Sequence, residues 1–348
     1  MNHLLWLAPF VAALALVLTW FLRRYALSRS LIDIPNTRSS HSIPTPRGGG
    51  VAIVVSFLVM LPVFFINGMA LPSVIWALLG GGVAVAILGF LDDHGHIAAR
   101  WRLLGHFSAA LWAIFWIDGL PAITFPGGMI NLSWFGNVAA VFYLVWLLNL
   151  YNFMDGIDGL ASVEAMCVCL GACLVYLLGG YSMLIWLPLL LSMAVLGFLY
   201  WNFPPAKIFM GDAGSGFLGF VLGVLSLAAA WQNADLLWVW LILLGVFIVD
   251  ATFTLVRRLV RGDKVYEAHR SHAYQFASRK VGGHLPVTLS VLAINLLWLT
   301  PIAIGVGVLG LNGLLALVIA YAPLIALAVK YKAGELEIRD VVFPANEL

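Results

Sequence analysis

Charge is scarce in this chain. Only 10% of its 348 residues are Asp, Glu, Lys or Arg, while 63% are hydrophobic. No soluble domain keeps that balance, so a protein of many membrane spans is what remains. Cysteine is scarce too. Cys167, Cys169 and Cys173 all fall in one apolar run, which argues against both a disulfide framework and a zinc site. No convincing small-residue cleavage site follows the apolar run from Leu4 to Leu22, so that run is expected to be a retained first span rather than a signal peptide. A Gly-Lys-Ser/Thr phosphate loop is missing, and with it support for an ATPase. Neither an internal repeat nor a low-complexity tract is evident.

Long apolar runs are what the chain does have. A span needs roughly 20 such residues, and eleven stretches are predicted, at about 3–22, 51–67, 71–91, 103–119, 136–152, 160–178, 182–201, 214–231, 235–256, 287–308 and 312–330. The expected fold class is an all-α polytopic membrane protein, one integral domain over 1–348. With that count, Arg23, Arg24, Arg29, Arg38 and Arg47 lie in the first loop, Arg100 and Arg102 in the third, and Lys207 in the seventh. Arg257, Arg258, Arg261, Lys264, Arg270, Arg279 and Lys280 lie in the ninth, and Lys330, Lys332 and Arg339 follow the last span. Every Lys and Arg then sits on one side. The positive-inside rule makes that side cytoplasmic, with the N-terminus outside and the C-terminus inside. A miscounted span would scatter the charges over both faces.

The loops 23–50, 92–102, 152–160, 201–214 and 257–286 on that side are expected to form the site, and the last four of them carry unusual polar groups. Asp92 and Asp93 close the third span. Adjacent carboxylates repel, which suits a metal site or a proton acceptor; a solvated helix end is the plain alternative. Asn152, Asp155 and Asp158 follow at a spacing that keeps them near one face if the segment is helical. Their oxygens suit a hard cation such as Mg²⁺, although Asp158 could also cap the sixth span. Gly211, Asp212 and Ser215 belong to a Gly-rich turn opening the eighth span, which would offer free N–H groups to an anion, with Lys207 near enough to meet a phosphate. His269-Arg270-Ser271-His272-Ala273-Tyr274-Gln275 is the fourth; His and Arg together suit a pyrophosphate, and plain cytoplasmic charge is its alternative. Asp250 and Glu164 are expected to line the same cavity or to pair with Arg. His3, His94, His96, His106 and His284 read as interfacial or loop residues. His41 is a candidate substrate contact. Acids, a hard cation and cationic donors are the parts of phosphoryl transfer, and a membrane surface points to a lipid phosphate.

Asn152-Phe153-Met154-Asp155-Gly156-Ile157-Asp158-Gly159 and Gly211-Asp212-Ala213-Gly214-Ser215, supported by Asp92-Asp93, resemble the polyprenyl-phosphate N-acetylhexosamine-1-phosphate transferase family. The likeness runs from about Pro44 to Gln275. It implies that a UDP-N-acetyl sugar gives its sugar-1-phosphate to undecaprenyl phosphate and releases UMP. By the same likeness Asp212 is the Mg²⁺ ligand (Mn²⁺ an acceptable substitute), with Asn152 and Asp155 beside it. Asp92 or Asp93 would deprotonate or orient the lipid phosphate, Asp158 would belong to the nucleotide site, and His272 and Arg270 would serve the diphosphate. The expected setting is the bacterial inner membrane with a cytoplasmic site; the bilayer is a partner, nucleic acid is not, and a homodimer is left open. Two departures from the family pattern, Tyr274 and Gln275 where relatives carry further His, and Arg100 and Arg102 where they carry Lys, point away from the peptidoglycan enzyme and towards the O-antigen branch. The sugar expected there is GlcNAc or a 6-deoxy relative such as FucNAc or QuiNAc.

Two rival functions are open to such a sequence. A secondary transporter would place its acids near the bilayer midplane on broken helices. A CDP-alcohol phosphotransferase would continue with further Asp residues after Ala161, and here Ser162 follows instead.

Overall fold

The computed structural model describes residues 6–35, 40–41, 43–95, 97–263 and 269–336. His3, Arg38, His96, Lys264 and Arg339, named above, lie outside the described residues. Helix α1 (Leu7–Ser28) leads into a two-residue antiparallel pairing of β1 (Ile32–Asp33) with β2 (Thr45–Pro46). The second apolar stretch is split into α2 (Val51–Leu58) and α3 (Leu61–Ile66). Pro62 near the start of α3 explains the split, because it cannot donate the bond that would continue α2. Then come α4 (Pro72–His94), α5 (Ala99–Ile117), a hairpin of β3 (Ile123–Phe125) with β4 (Gly128–Ile130), and α6 (Ser133–Met154). They are followed by α7 (Leu160–Gly179), α8 (Trp186–Asn202) and α9 (Asp212–Gln232).

Beyond α9 the helices become irregular. α10 (Asp235–Leu243) and α11 (Gly245–Arg261) are bent by 73° at Leu244. α12 (Ala273–Val281) is a short helix outside the apolar runs. α13 (His284–Ile294) passes through a π-helical turn, Asn295–Leu299, into α14 (Thr300–Gly307), and α15 (Gly313–Lys330) completes the set. Pro301 sits in the first turn of α14. Its missing N–H and its ring account for the widened turn just before it.

Helices lie over all eleven predicted stretches, but they are unequal. Among the described residues eight helical runs are long and apolar enough to cross a membrane, and the bent α10–α11 pair makes a ninth if it is one span. The α2–α3 run is shorter, and α5 opens with Arg100 and Arg102. The protein is thus an all-α polytopic membrane protein; the strands among the described residues are two small pairings in loops.

Helix α9 is the centre of the bundle. It is buried on every side, as a helix apolar all round must be, and it packs against α4 and α6. Glu164 on α7 is fully buried and accepts a bond from Asn295 Nδ2 at 2.7 Å, beside the π turn. Asp250 on α11 accepts from the amides of Ala273 and Tyr274 at 2.9 and 3.0 Å, capping α12. The expectation that these two acids line the main polar cavity or pair with Arg is therefore corrected: each satisfies a helix partner instead. That outcome follows from the cost of leaving a buried polar group without a hydrogen-bond partner.

Candidate active site

Four helix ends converge on one end of the bundle: the C-termini of α4 and α6 and the N-termini of α7 and α9. They enclose a cavity of ≈ 280 Å³ that Asp93, Asn152, Asp155, Asp158, Gly211, Asp212 and His41 all line. Segments far apart in the chain thus build one site. The loop before α2 is laid along the start of α9 by main-chain bonds, Phe209 to Pro46 at 2.8 Å, Gly49 to Phe209 at 2.9 Å and Gly50 to Met210 at 2.8 Å.

The two acids at the end of α4 have different partners. Asp92 accepts from Ile97 N at 2.8 Å and from Arg102 Nη1 at 2.6 Å. Asp93 accepts from the amides of Asp212 and Ala213 at 3.1 and 3.3 Å, and so caps α9 from another helix. Gly211 makes this approach possible. Its φ is +78°, and a Cβ there would meet Asp93 Oδ2 at 2.6 Å. The amides expected to be free for an anion at this turn are therefore already taken, by a carboxylate that the helix N-terminus favours. Arg47 donates to the Asp93 carbonyl.

Helix α6 ends at Met154, so Asn152 is helical, Asp155 follows as the C-cap and Asp158 lies in the turn before α7. Asn152 Nδ2 donates to Asp212 Oδ1 at 2.9 Å and to Ser215 Oγ at 3.1 Å. Arg102 Nη1 stands 3.6 Å from Asp212 Oδ2. Asp158 does not cap α7. Its carboxylate accepts from Ala206 N at 3.0 Å and meets His284 Nδ1 at 3.1 Å. His284 Nε2 in turn reaches Ser40 O at 3.0 Å. Burial pushes the Asp155 carboxyl well above the usual carboxylate range, and the nearby charges of Asp212, Asp93 and Asp158 add to the effect.

Among the described residues no three His, Cys, Asp or Glu side chains are already gathered into a cage. Mg²⁺ does not ask for one: it keeps waters and takes one or two carboxylates plus substrate phosphates. Asp155 and Asp212 share a cavity in which burial and like charges oppose ionisation, a setting that a bound cation would relieve. The residues present fit it.

The remaining candidates divide. Ser215 is buried on the first turn of α9, behind Asp212. His272 is buried with Nδ1 3.3 Å from Asp250 Oδ1, and its ring lies 4.9 Å from that of His269. Burial and the neighbouring His272 and Arg258 lower His269 to about 3. Arg270 presents its carbonyl to Arg279 Nη2 at 3.2 Å. None of His269, Arg270 and His272 lines the ≈ 280 Å³ cavity, although Gln275 of the same loop does. Lys207 is exposed, with Nζ 5.4 Å from the Tyr200 ring centroid and 5.5 Å from that of Trp201, outside the cavity lining.

His284, read from the sequence as a loop residue, lines the cavity and holds Asp158. Asn202 was also missed; its Oδ1 accepts from Gly159 N at 3.1 Å. The sequence carried no signal for either, since their partners lie 126 and 43 residues away. Two further cavities adjoin the first. One of ≈ 550 Å³ shares Ser40, His41, Asp158, Phe209 and His284 with it. The other, ≈ 150 Å³, runs from Asp92, Arg102, Asn152 and Asp212 to the apolar Val85, Leu88, Leu103 and Leu148.

Fold and site define a class: a polytopic membrane protein with a cluster of acids gathered at helix ends in one cavity. A family model for glycosyl transferase family 4 matches residues 75–230. The chain is 31% identical over 288 residues to the probable undecaprenyl-phosphate N-acetylglucosaminyl 1-phosphate transferase of Bacillus subtilis (strain 168), covering 81% of this chain and 78% of that one. It is 29% identical over 278 residues to the undecaprenyl-phosphate alpha-N-acetylglucosaminyl 1-phosphate transferase of Thermotoga maritima, covering 78% and 81%. Over 271 residues it is 31% identical to the phospho-N-acetylmuramoyl-pentapeptide-transferase of Bacillus licheniformis, covering 72% and 81%. The chain belongs to this family, the polyprenyl-phosphate N-acetylhexosamine-1-phosphate transferases, and is a glycosyl-1-phosphate transferase.

Proposed function

We propose that the protein transfers N-acetylglucosamine-1-phosphate, or that of a 6-deoxy relative, from a UDP-sugar to undecaprenyl phosphate and releases UMP. The observation that carries this is the meeting of Asp93, Asp155, Asp158 and Asp212 in one cavity at the ends of spans, joined on one side to a cleft that turns apolar. The diphosphate of the donor takes the acid-lined cavity. The lipid phosphate comes in through the cleft, where Arg102 stands between Asp92 and Asp212 and the apolar wall accepts the first isoprene units.

The chemistry is an in-line exchange. An oxygen of the lipid phosphate bonds to the phosphorus that carries the sugar, while the bond from that phosphorus to the UMP oxygen breaks. Attack of one anion on another needs its repulsion cancelled. Mg²⁺ held by Asp212 and Asp155, with Asn152 beside them, supplies that neutralisation when bound; Mn²⁺ would serve in its place. Arg102 orients the acceptor, and Asp92 holds Arg102. Asp93 acts by fixing the first turn of α9, and with it Asp212. Asp158, clasped by His284, sets the nucleotide side.

The same reading takes the chain as eleven spans with the N-terminus outside and the C-terminus in the cytoplasm of a bacterial inner membrane. The product is the first lipid-linked sugar of a surface polysaccharide such as O-antigen. Acids at helix ends rather than mid-span speak against a transporter. The test is a panel of UDP-sugars given to the purified protein with undecaprenyl phosphate and Mg²⁺, reading UMP. UDP-GlcNAc is expected to turn over; no UMP from any UDP-N-acetyl sugar would overturn the proposal.

A further inference from the structure

The turn that follows α15 has no part in the reaction above, yet it is a built structure. Ala333 and Gly334 are buried beyond the end of the last helix. Arg257 Nη1 donates to Ala333 O at 3.0 Å and its Nη2 to Glu335 Oε1 at 2.9 Å. Arg261 Nη1 donates to Gly334 O at 2.6 Å. Two guanidinium groups of α11 therefore grip three consecutive residues, mostly through main-chain oxygens. Gly334 has a φ of +75°, and a Cβ there would lie 3.0 Å from Arg257 Cβ and 3.1 Å from Thr254 O. Only glycine fits this close, left-handed position. The amide it presents donates to Ser271 O at 2.7 Å.

That bond joins the turn to the histidine loop. Immediately after Ser271, His272 is the N-cap residue of α12, whose first amides Asp250 holds. Tyr274 of α12 donates from its hydroxyl to Phe153 O at 3.0 Å. It fills the place a side chain at Gly156 would take, 2.1 Å from a Cβ built there. Gln275 lines the acid cavity. A continuous path of contacts thus runs from Gly334 through Ser271 and α12 to the residues on either side of Asp155.

We propose that the turn Tyr331–Glu335 is a strap that sets the histidine loop over the acid segment, with Gly334, Arg257 and Arg261 as positioning residues. The inference rests on the reaction proposed above for its kinetic consequence, but not for its structural one. The exposed Arg257–Glu335 charge pair is a minor part of it, because such pairs contribute little; the carbonyl and amide bonds carry the strap.

The test compares full-length wild-type protein in detergent with Gly334→Ala, with Arg257→Gln/Arg261→Gln, and with Glu335→Gln, which keeps an acceptor oxygen for Arg257. Three quantities are read: UMP release against donor and against acceptor concentration, tryptic cleavage after Arg270 without substrates, and the melting temperature. Gly334→Ala and the double variant should raise the donor KM about tenfold while leaving the acceptor KM within about twofold. Cleavage after Arg270 should quicken by about tenfold in the same two variants, and Glu335→Gln should match wild type. Wild-type donor KM and cleavage in both altered proteins would overturn the strap. So would losses that fall on donor and acceptor alike and follow the melting temperature. If wild-type protein releases no UMP, the reaction fails, and the cleavage comparison still decides the strap.

Discussion

Asp212→Asn is the substitution on which the cation reading turns. Asp212 gives one oxygen to Asn152 and faces Arg102 with the other, at 2.9 and 3.6 Å. Asn has the same shape, so the change removes charge and little else. Without a cation, the variant should be at least as stable as wild type, because one of the charges opposing Asp155 is gone. With Mg²⁺ at about 100 times its dissociation constant, wild type should gain about 2.7 kcal/mol. At roughly 2 °C per kcal/mol for a chain of this size, that is a rise of about 5 °C. The variant should gain nothing resolvable and should release no UMP. The pH dependence has a definite sign. Asp155 has a raised folded value, so its contribution to metal-free stability is full below about pH 4 and is lost as pH rises through that value. Bound Mg²⁺ would compete with the proton for this carboxylate, so the Mg²⁺-induced rise in melting temperature should grow as pH rises toward the raised Asp155 value. Thermal unfolding in detergent, with and without Mg²⁺, reads all of this. An equal Mg²⁺ shift in Asp212→Asn, or near wild-type turnover, would refute the assignment.

Two further outcomes are expected. His284→Ala frees Asp158 and the Ser40 carbonyl, so the donor KM in the UMP assay should rise about tenfold with a smaller fall in kcat. Lys207→Ala should keep UMP release within about twofold of wild type, because its ammonium lies over Tyr200 and Trp201; a tenfold loss would return the amine to a phosphate.

What could be read from the sequence was what leaves a local mark. Apolar run length located the helices, and polar residues at the ends of runs pointed to Asp93, Asn152, Asp155, Asp158 and Asp212, which do share a cavity. The split at Pro62 and the 73° bend at Leu244 were not anticipated, since a hydropathy window averages over such breaks. Partner choice was hidden altogether. Nothing in the adjacency of Asp92 and Asp93 says that one holds Arg102 while the other caps a helix beginning at Asp212. Nor does Gly282-Gly283-His284 announce a contact with Asp158. Those outcomes depend on which helix ends meet, and that is a property of the whole bundle.

The lining of the acid cavity begins at Asp33 and ends at His284. Its first and last members therefore lie on opposite sides of nearly the whole series of membrane helices. A chain cut between α9 and α13 keeps all five acids of the lining, Asp33, Asp93, Asp155, Asp158 and Asp212, but loses the imidazole that meets Asp158. Completeness of this site thus needs the chain from Asp33 through His284. No single loop, hairpin or N-terminal half can be lifted out as its carrier.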